Sequence, residues 1–293
     1  MHLAVFNNDL EIVKYLTSTG ANIYAIDNDG MNPLQHAFHS NLIEVLEVMI
    51  KQANQDTKDG YILYAVETNQ IDIVKILLKS GANVDTKKPK KNTSLLHIAV
   101  ENNQTEMVKL LINNKANLEA KDHDSEYGDT PLVLAIDNMN YEIAEILLEA
   151  GANVNVHCNV NECIAPLAYA VNNCEMDISW IELFLEYGAN VNILKFWDED
   201  SLLHEMINYM TKSGLNVLPF DAGDPEWQIV ILLLESGIDV NKLNRHDQSC
   251  LSMALEGKFV DMIKVLITYG ANNPIETGLK KNIDAFKMIS FQL

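Results

Sequence analysis

The sequence predicts an all-α solenoid built from stacked pairs of short helices, and three observations carry that prediction. The phrase Gly-Ala-Asn occurs five times, at Gly20, Gly81, Gly151, Gly188 and Gly270, each time closing an amphipathic apolar run. Looser copies at Gln52-Ala53-Asn54, Lys115-Ala116-Asn117 and Gly237-Ile238-Asp239 fill the gaps, so that successive middle residues lie 32, 29, 34, 36, 37, 49 and 33 residues apart. Between copies the apolar pattern falls into two short helical stretches parted by polar residues. Self-similarity at such a period marks a repeat array, in which each unit buries its apolar face only against its neighbours.

One unit, residues 92–122, shows the logic. Ser94 stands where a cap for the first helix is needed, ahead of Leu95-Leu96-His97-Ile98-Ala99-Val100. Asn102-Asn103 breaks that helix. A second helix from about Thr105 to Asn113 presents Met107, Val108, Leu110, Leu111 and Ile112 on a wide apolar face. The polar segment from Glu119 to Asp124 then suits a projecting turn. Taken along the chain, eight such pairs are expected, with first helices starting near positions 1, 33, 61, 95, 131, 166, 202 and 250.

The openings of these helices resemble the ankyrin repeat, whose first helix begins Thr-Pro-Leu-His-x-Ala. The corresponding residues are Asn32-Pro33-Leu34-Gln35-His36-Ala37, Ser94-Leu95-Leu96-His97-Ile98-Ala99, Thr130-Pro131-Leu132-Val133-Leu134-Ala135 and Ala165-Pro166-Leu167-Ala168-Tyr169-Ala170, with weaker copies at Ser201 and Ser249. Second helices repeat an acidic-x-x-Lys signature: Glu11-Ile12-Val13-Lys14, Asp72-Ile73-Val74-Lys75, Glu106-Met107-Val108-Lys109 and Asp261-Met262-Ile263-Lys264. The resemblance implies an ankyrin-repeat solenoid with short β-hairpin-like fingers over residues 1–273; Pro274 and the stretch from Asn282 to Phe291 then read as a capping segment over 274–293 that covers the last apolar face.

Four departures from the pattern stand out. The chain begins inside a first helix, so the opening repeat lacks its finger, as in a fragment or an unusual cap. Only four residues separate Gly60 from Ala65, which predicts a stunted finger before the third pair. His123-Asp124-Ser125-Glu126-Tyr127 lengthens the finger before Pro131. About 15 extra residues, near 211–225, part the helices of the seventh pair, with Gly214, Pro219, Gly223 and Pro225 marking irregular chain.

Composition narrows the function. Of 293 residues 48% are hydrophobic and 21% charged, the balance of a packed protein. No run of 18 apolar residues and no basic-then-apolar N-terminus occurs, so neither a membrane-spanning helix nor a signal peptide is expected. The net charge of −20 opposes phosphate backbones and anionic lipid, and suits basic or dipolar protein partners. Cys158, Cys163, Cys174 and Cys250 lack the spacing of a disulfide framework, pointing to a reducing, cytoplasmic setting. One arginine, Arg245, against 20 lysines hints at an AT-rich genome.

Catalysis is not expected, and no cofactor is implied. His157, Cys158 and Cys163 approach a metal-ligand cluster, but Cys-x4-Cys without a second matching pair falls outside the common zinc spacings. A metal or redox element there stays an open alternative to plain thiols. His97 and His204 sit in the helix-opening motif, where the resemblance implies bonds to the next unit. Asp27-Asn28-Asp29-Gly30 starts like a calcium loop but has no Glu at its twelfth position, and reads as a finger turn.

The resemblance instead implies a binding surface made of finger tips and the exposed ends of first helices, on a concave face. Carried over repeat by repeat, the helix positions include Phe6, His39, Glu67, Glu101, Asp137, Asn138, Asn172, Asn173 and Tyr209. The finger positions include Asn28, Lys90, Lys91, Glu126, Tyr127, Trp197, Asp198 and Arg245. A basic finger (Lys87, Lys88, Lys90, Lys91) precedes an acidic one (Asp122, Asp124, Glu126, Asp129), an arrangement suited to a dipolar partner. Trp197, beside Phe196, is the aromatic anchor expected of an interface. The expected function is a monomeric, non-enzymatic scaffold or adaptor in the cytoplasm, in the manner of a bacterial effector or viral host-interaction protein. The alternative is the substrate-targeting module of a larger enzyme.

Overall fold

A helix of seven to nine residues does not persist alone in water, so each helix of this chain depends on the faces it buries. The computed structural model describes residues 1–89, 91–122, 129–156, 165–172, 177–193, 200–214, 221 and 223–272. Over these the protein is helical, in two compact units, Met1–Ala152 and Asn153–Leu293.

The first unit holds five helix pairs: α1 (His2–Phe6) with α2 (Leu10–Ser18), α3 (Pro33–His39) with α4 (Ile43–Ile50), α5 (Gln55–Glu67) with α6 (Ile71–Lys79), α7 (Leu95–Glu101) with α8 (Thr105–Asn113), and α9 (Pro131–Asp137) with α10 (Tyr141–Glu149). First helices pack on first helices, α1 on α3, α5 on α7 and α7 on α9, while α2, α4, α6, α8 and α10 form the second layer. Leu34, Leu46, Met49, Ile62, Ile73, Leu77 and Leu95 are wholly buried where the layers meet. The second unit holds α11 (Pro166–Asn172) with α12 (Ile178–Glu186), α13 (Leu202–Lys212) with α14 (Pro225–Glu235), and α15 (Cys250–Glu256) with α16 (Val260–Thr268). There α11 packs on α13, α13 on α15 and α12 on α14, around Phe184, Leu203, Leu233 and Phe259.

Local chemistry sets the helix ends. Asn32, Ser94, Thr130 and Ser249 each accept the backbone N–H three residues on, and proline opens α3, α9 and α11. In six pairs the chain reverses between the helices through one left-handed residue, Asn8, Asn41, Asn69 and Asn103 at φ of 52 to 55°, with Met139 at 53° and Lys258 at 54° in the same place. Asparagine tolerates that region because its short amide bonds locally. On the second helices, Glu11, Asp72, Glu106 and Asp261 sit in the first turn, near the positive end of the helix dipole, and pair with the lysine three residues on.

The Gly-Ala-Asn phrase has a physical reading residue by residue. The glycine leaves the second helix in the left-handed region, at φ of 78 to 95° across the five copies. The central position tucks inward, with Ala82, Ala116 and Ala152 buried. The asparagine side chain accepts the N–H two residues on, as at Asn83, Asn153 and Asn190, folding the start of the next finger. The residue so held then reaches the next repeat. Asp85 accepts the Asn117 N–H at 2.8 Å, Asn155 that of Asn190 at 2.8 Å, Asn192 that of Asp239 at 2.7 Å and Asn241 that of Asn272 at 2.7 Å.

The fingers close as hairpin-like turns. Asp27 N–H donates to Met31 O, Lys88 to Thr93, Asp122 to Asp129 and Asn244 to Gln248, with isolated bridges at Lys87–Ser94 and Leu243–Ser249.

The third pair departs from the expected start near 61. At Gln52-Ala53-Asn54 the glycine is replaced, and Gln52 is not left-handed. Asn54 instead caps a helix at once, accepting the Thr57 N–H at 2.9 Å. The result is a 13-residue α5, longer by two turns than a typical first helix here, in place of a finger. In the seventh pair, α13 continues to Lys212 and α14 starts at Pro225, so both ends of the stretch read as an insertion are helical. Residues 215–220 and 222, and the proposed cap at 274–293, lie outside the described residues.

Candidate interaction surface

The buried histidines in the openings of α7 and α13 are satisfied internally. His97 is fully buried, and its Nε2–H donates to the Asp129 carbonyl of the next repeat at 2.9 Å while Nδ1 accepts the Ser94 N–H. His204 repeats the arrangement with Gln248 O at 3.1 Å and the Ser201 N–H. Burial pushes both imidazoles below the ordinary histidine range, so they stay neutral. They are clamps between repeats. In the first finger, Asp27 accepts the N–H groups of Asp29 and Met31 at 3.0 Å and meets His36 Nε2 at 2.6 Å. The His36 contact, first, and these backbone bonds hold its carboxyl down at about 2.

Among the groups left to solvent, the ends of the first helices form a regular series. Within the first unit Phe6, His39, Glu67, Glu101 and Asp137 are all exposed at equivalent points of successive helices. Partial burial raises the Asp137 carboxyl above its ordinary range. Glu67 pairs with Lys88 at 2.8 Å, tying the end of α5 to the following finger.

Of the successive first helices in this unit, α3 and α5 come together least, and a groove opens between them. Its volume is about 390 Å³, and Gln35, Phe38, His39, Asp56, Thr57, Gly60, Tyr61 and Tyr64 line it. Phe38 forms the floor, fully buried, with its ring centroid 4.7 Å from Tyr61 and 5.5 Å from Tyr64. Tyr64 stays 44% exposed, its ring edge-on to His39 at 6.1 Å. Burial pushes the Tyr61 hydroxyl up to about 12.

A family profile described as ankyrin repeats (three copies) matches residues 1–88 and 62–158, together more than half of the sequence. The chain belongs to the ankyrin repeat family. An ankyrin repeat domain from Acinetobacter baumannii has a similar structure, with a TM-score of 0.50 and 28% identity over 64% of this chain and 97% of that one. An ankyrin repeat protein of Acanthamoeba polyphaga mimivirus is 27% identical over 70% of this chain, and the human transient receptor potential cation channel subfamily A member 1 is 25% identical over 96% of it. This chain spans about a quarter of the length of those two relatives, 27% and 25% respectively. Ankyrin repeats are protein-interaction modules.

The residues expected at the ankyrin surface divide into two groups. Asp137 and Asn138 are exposed at the end of α9, Tyr209 is 48% exposed on α13, and Lys91 and Arg245 are exposed on fingers. Arg245 bonds through Nε to His246 Nε2 at 3.1 Å. Lys90, Glu126, Tyr127, Asn173, Trp197 and Asp198 lie outside the described residues, as do the side chain of Asn172 and the cluster of His157, Cys158 and Cys163. The contrast between basic and acidic fingers is weaker than expected. Asp122 is buried and accepts the Asp129 N–H at 3.0 Å, closing its own turn, while Lys88 is neutralised by Glu67. The α3–α5 groove escaped sequence reasoning, although Phe38, Tyr61 and Tyr64 beside a missing glycine could have pointed to it.

Proposed function

We propose that this ankyrin chain is a non-enzymatic scaffold or adaptor that grips a basic protein partner along the exposed ends of its first helices. The observation that carries the reading is the row from Phe6 to Asp137. Its side chains are exposed at equivalent positions, while the polar groups beneath them, such as His97, already have partners inside the fold. Exposed carboxylates at Glu101 and Asp137 and a net charge of −20 favour a cationic partner. A cytoplasmic setting fits the cysteine spacing, and a role as an effector or viral host-interaction protein fits the preference for lysine over arginine and the mimivirus relative. No helix among the described residues is long and apolar enough to cross a membrane.

Affinity capture with the double variant Glu101→Lys/Asp137→Lys tests the surface. The control is Glu11→Lys/Glu149→Lys, which makes the same charge change on second helices. The first-helix variant should lose the proteins that the wild type and the control retain. Equal capture by all three sinks the reading. A second reading, a targeting module within a larger enzyme, draws on the fraction of the relatives' length that this chain spans.

A further inference from the structure

The α3–α5 groove exists because the array breaks its own rule at one place. Where the other second helices end in a left-handed residue, glycine or Lys115, Gln52-Ala53-Asn54 leads straight into α5. The extra turns carry Asp56, Thr57 and Gly60 to the mouth of a space that Phe38, Tyr61 and Tyr64 line from within. Gly60 is helical, and a Cβ built on it would meet nothing within 4 Å, so the glycine widens the opening. The volume, about 390 Å³, lies at the low end of the range typical of ligand sites, roughly 300–1,000 Å³. That admits one long side chain with its backbone and no folded element.

The lining specifies the chemistry of the occupant. Above the buried Phe38, Tyr61 and Tyr64 bring partly open aromatic rings to the groove, and an exposed carboxylate, Asp56, stands at the rim. Asp56 makes no ion pair among the described residues, whereas Asp59 is engaged by the Asn83 N–H and by Gln55. Lys58 of α5 and Lys88 of the following finger are engaged too, Lys58 with the Ser80 carbonyl at 2.7 Å and Lys88 with Glu67. A planar guanidinium stacks on tyrosine and matches a carboxylate with two parallel donors, which the ammonium of lysine does not. We propose that this groove is an arginine pocket, taking the side chain of an arginine in an extended basic segment of the partner protein. It deepens, and rests on, the protein-binding reading above.

The test uses the full chain and fluorescein-labelled dodecapeptides of alternating glycine and arginine, or glycine and citrulline, read by anisotropy in about 0.1 M salt, where the Debye length is near 10 Å. Tyr64→Ala leaves the net charge unchanged, so its effect reports the groove and not bulk attraction. It should weaken the arginine peptide roughly three- to tenfold, and Tyr64→Phe, which keeps the ring, should bind within about twofold of wild type. Asp56→Asn should weaken binding more than Asp72→Asn, which removes the same charge from an outer helix. The citrulline peptide should bind at least about tenfold more weakly. Equal affinity for citrulline, or a Tyr64→Ala protein that binds as wild type does, overturns the pocket. If Tyr64→Ala changes nothing while Glu101→Lys/Asp137→Lys still abolishes capture, the pocket falls and the binding surface stands. If the Tyr64 variant loses the peptide while capture is indifferent to Glu101 and Asp137, the broader reading falls.

Discussion

His97 shows how one side chain joins two repeats. Both of its ring nitrogens are used, and the Asp129 carbonyl that it satisfies belongs to the following unit. Replacing it with alanine leaves a cavity and an unpaired carbonyl, so His97→Ala should lower stability by about 2–4 kcal/mol in urea unfolding. The same bonds dictate a pH response. Burial depresses the folded-state pKa of His97 and of His204, so the neutral form is favoured by folding. The stability this represents is complete above the unfolded value, near 6.5, and is lost as pH falls through the depressed folded value. The urea midpoint of the wild type should therefore drop between about pH 7 and pH 5. A His97→Gln/His204→Gln protein should start lower and fall less. Asp27 acts in a separate, more acidic window: its contribution holds above the ordinary carboxylate value of 3.8 and disappears as pH falls towards about 2.

Two glycines show that the backbone, and not the space around it, decides the sign of a substitution. Neither Gly60 nor Gly81 has an atom within 4 Å of an added Cβ. Gly81 ends α6 at φ 90°, so Gly81→Ala strains the chain and should cost about 1–2 kcal/mol. Gly60 lies inside α5, where alanine is the better helix former, so Gly60→Ala should stabilise by about 0.5–1 kcal/mol in the same urea assay. This contrast also marks how far the sequence could be read. Helix pairs were legible because caps, apolar faces and terminal glycines act locally: Pro33, Ser94, Thr130 and Gly81 each announce one end of one helix. The long α5 was hidden because its cap, Asn54, sits in a degraded copy of the very phrase that elsewhere opens a finger. The ladder from Asp85 to Asn117 was hidden too, since its partners lie 32 residues apart and only stacking brings them together. At the surface, exposure of Asp137 and Tyr209 followed from repeat register, but burial of Asp122 depended on how its finger folds.

For the molecule as a whole, charge sets a trend that no single contact reveals. Forty-one acidic residues face 21 basic ones, and the lysine–carboxylate pairs among the described residues lie at least partly in solvent, such as Lys14–Glu11 and Lys75–Asp72. Each such pair contributes only a few tenths of a kcal/mol. The excess negative charge instead repels itself in the folded state. Salt screens both effects, and the repulsion is the larger because most carboxylates have no lysine to meet. Raising sodium chloride from about 0.02 to 0.3 M, which shortens the Debye length from roughly 20 to 6 Å, should raise the urea midpoint. Association with the arginine peptide should respond in the opposite direction, weakening over the same range, because there the screened interaction is an attraction. Opposite slopes on one protein separate the two origins. A midpoint that falls with salt would mean that the exposed pairs outweigh the repulsion. A peptide affinity indifferent to salt would mean that Asp56 and the neighbouring carboxylates play no part in recognition.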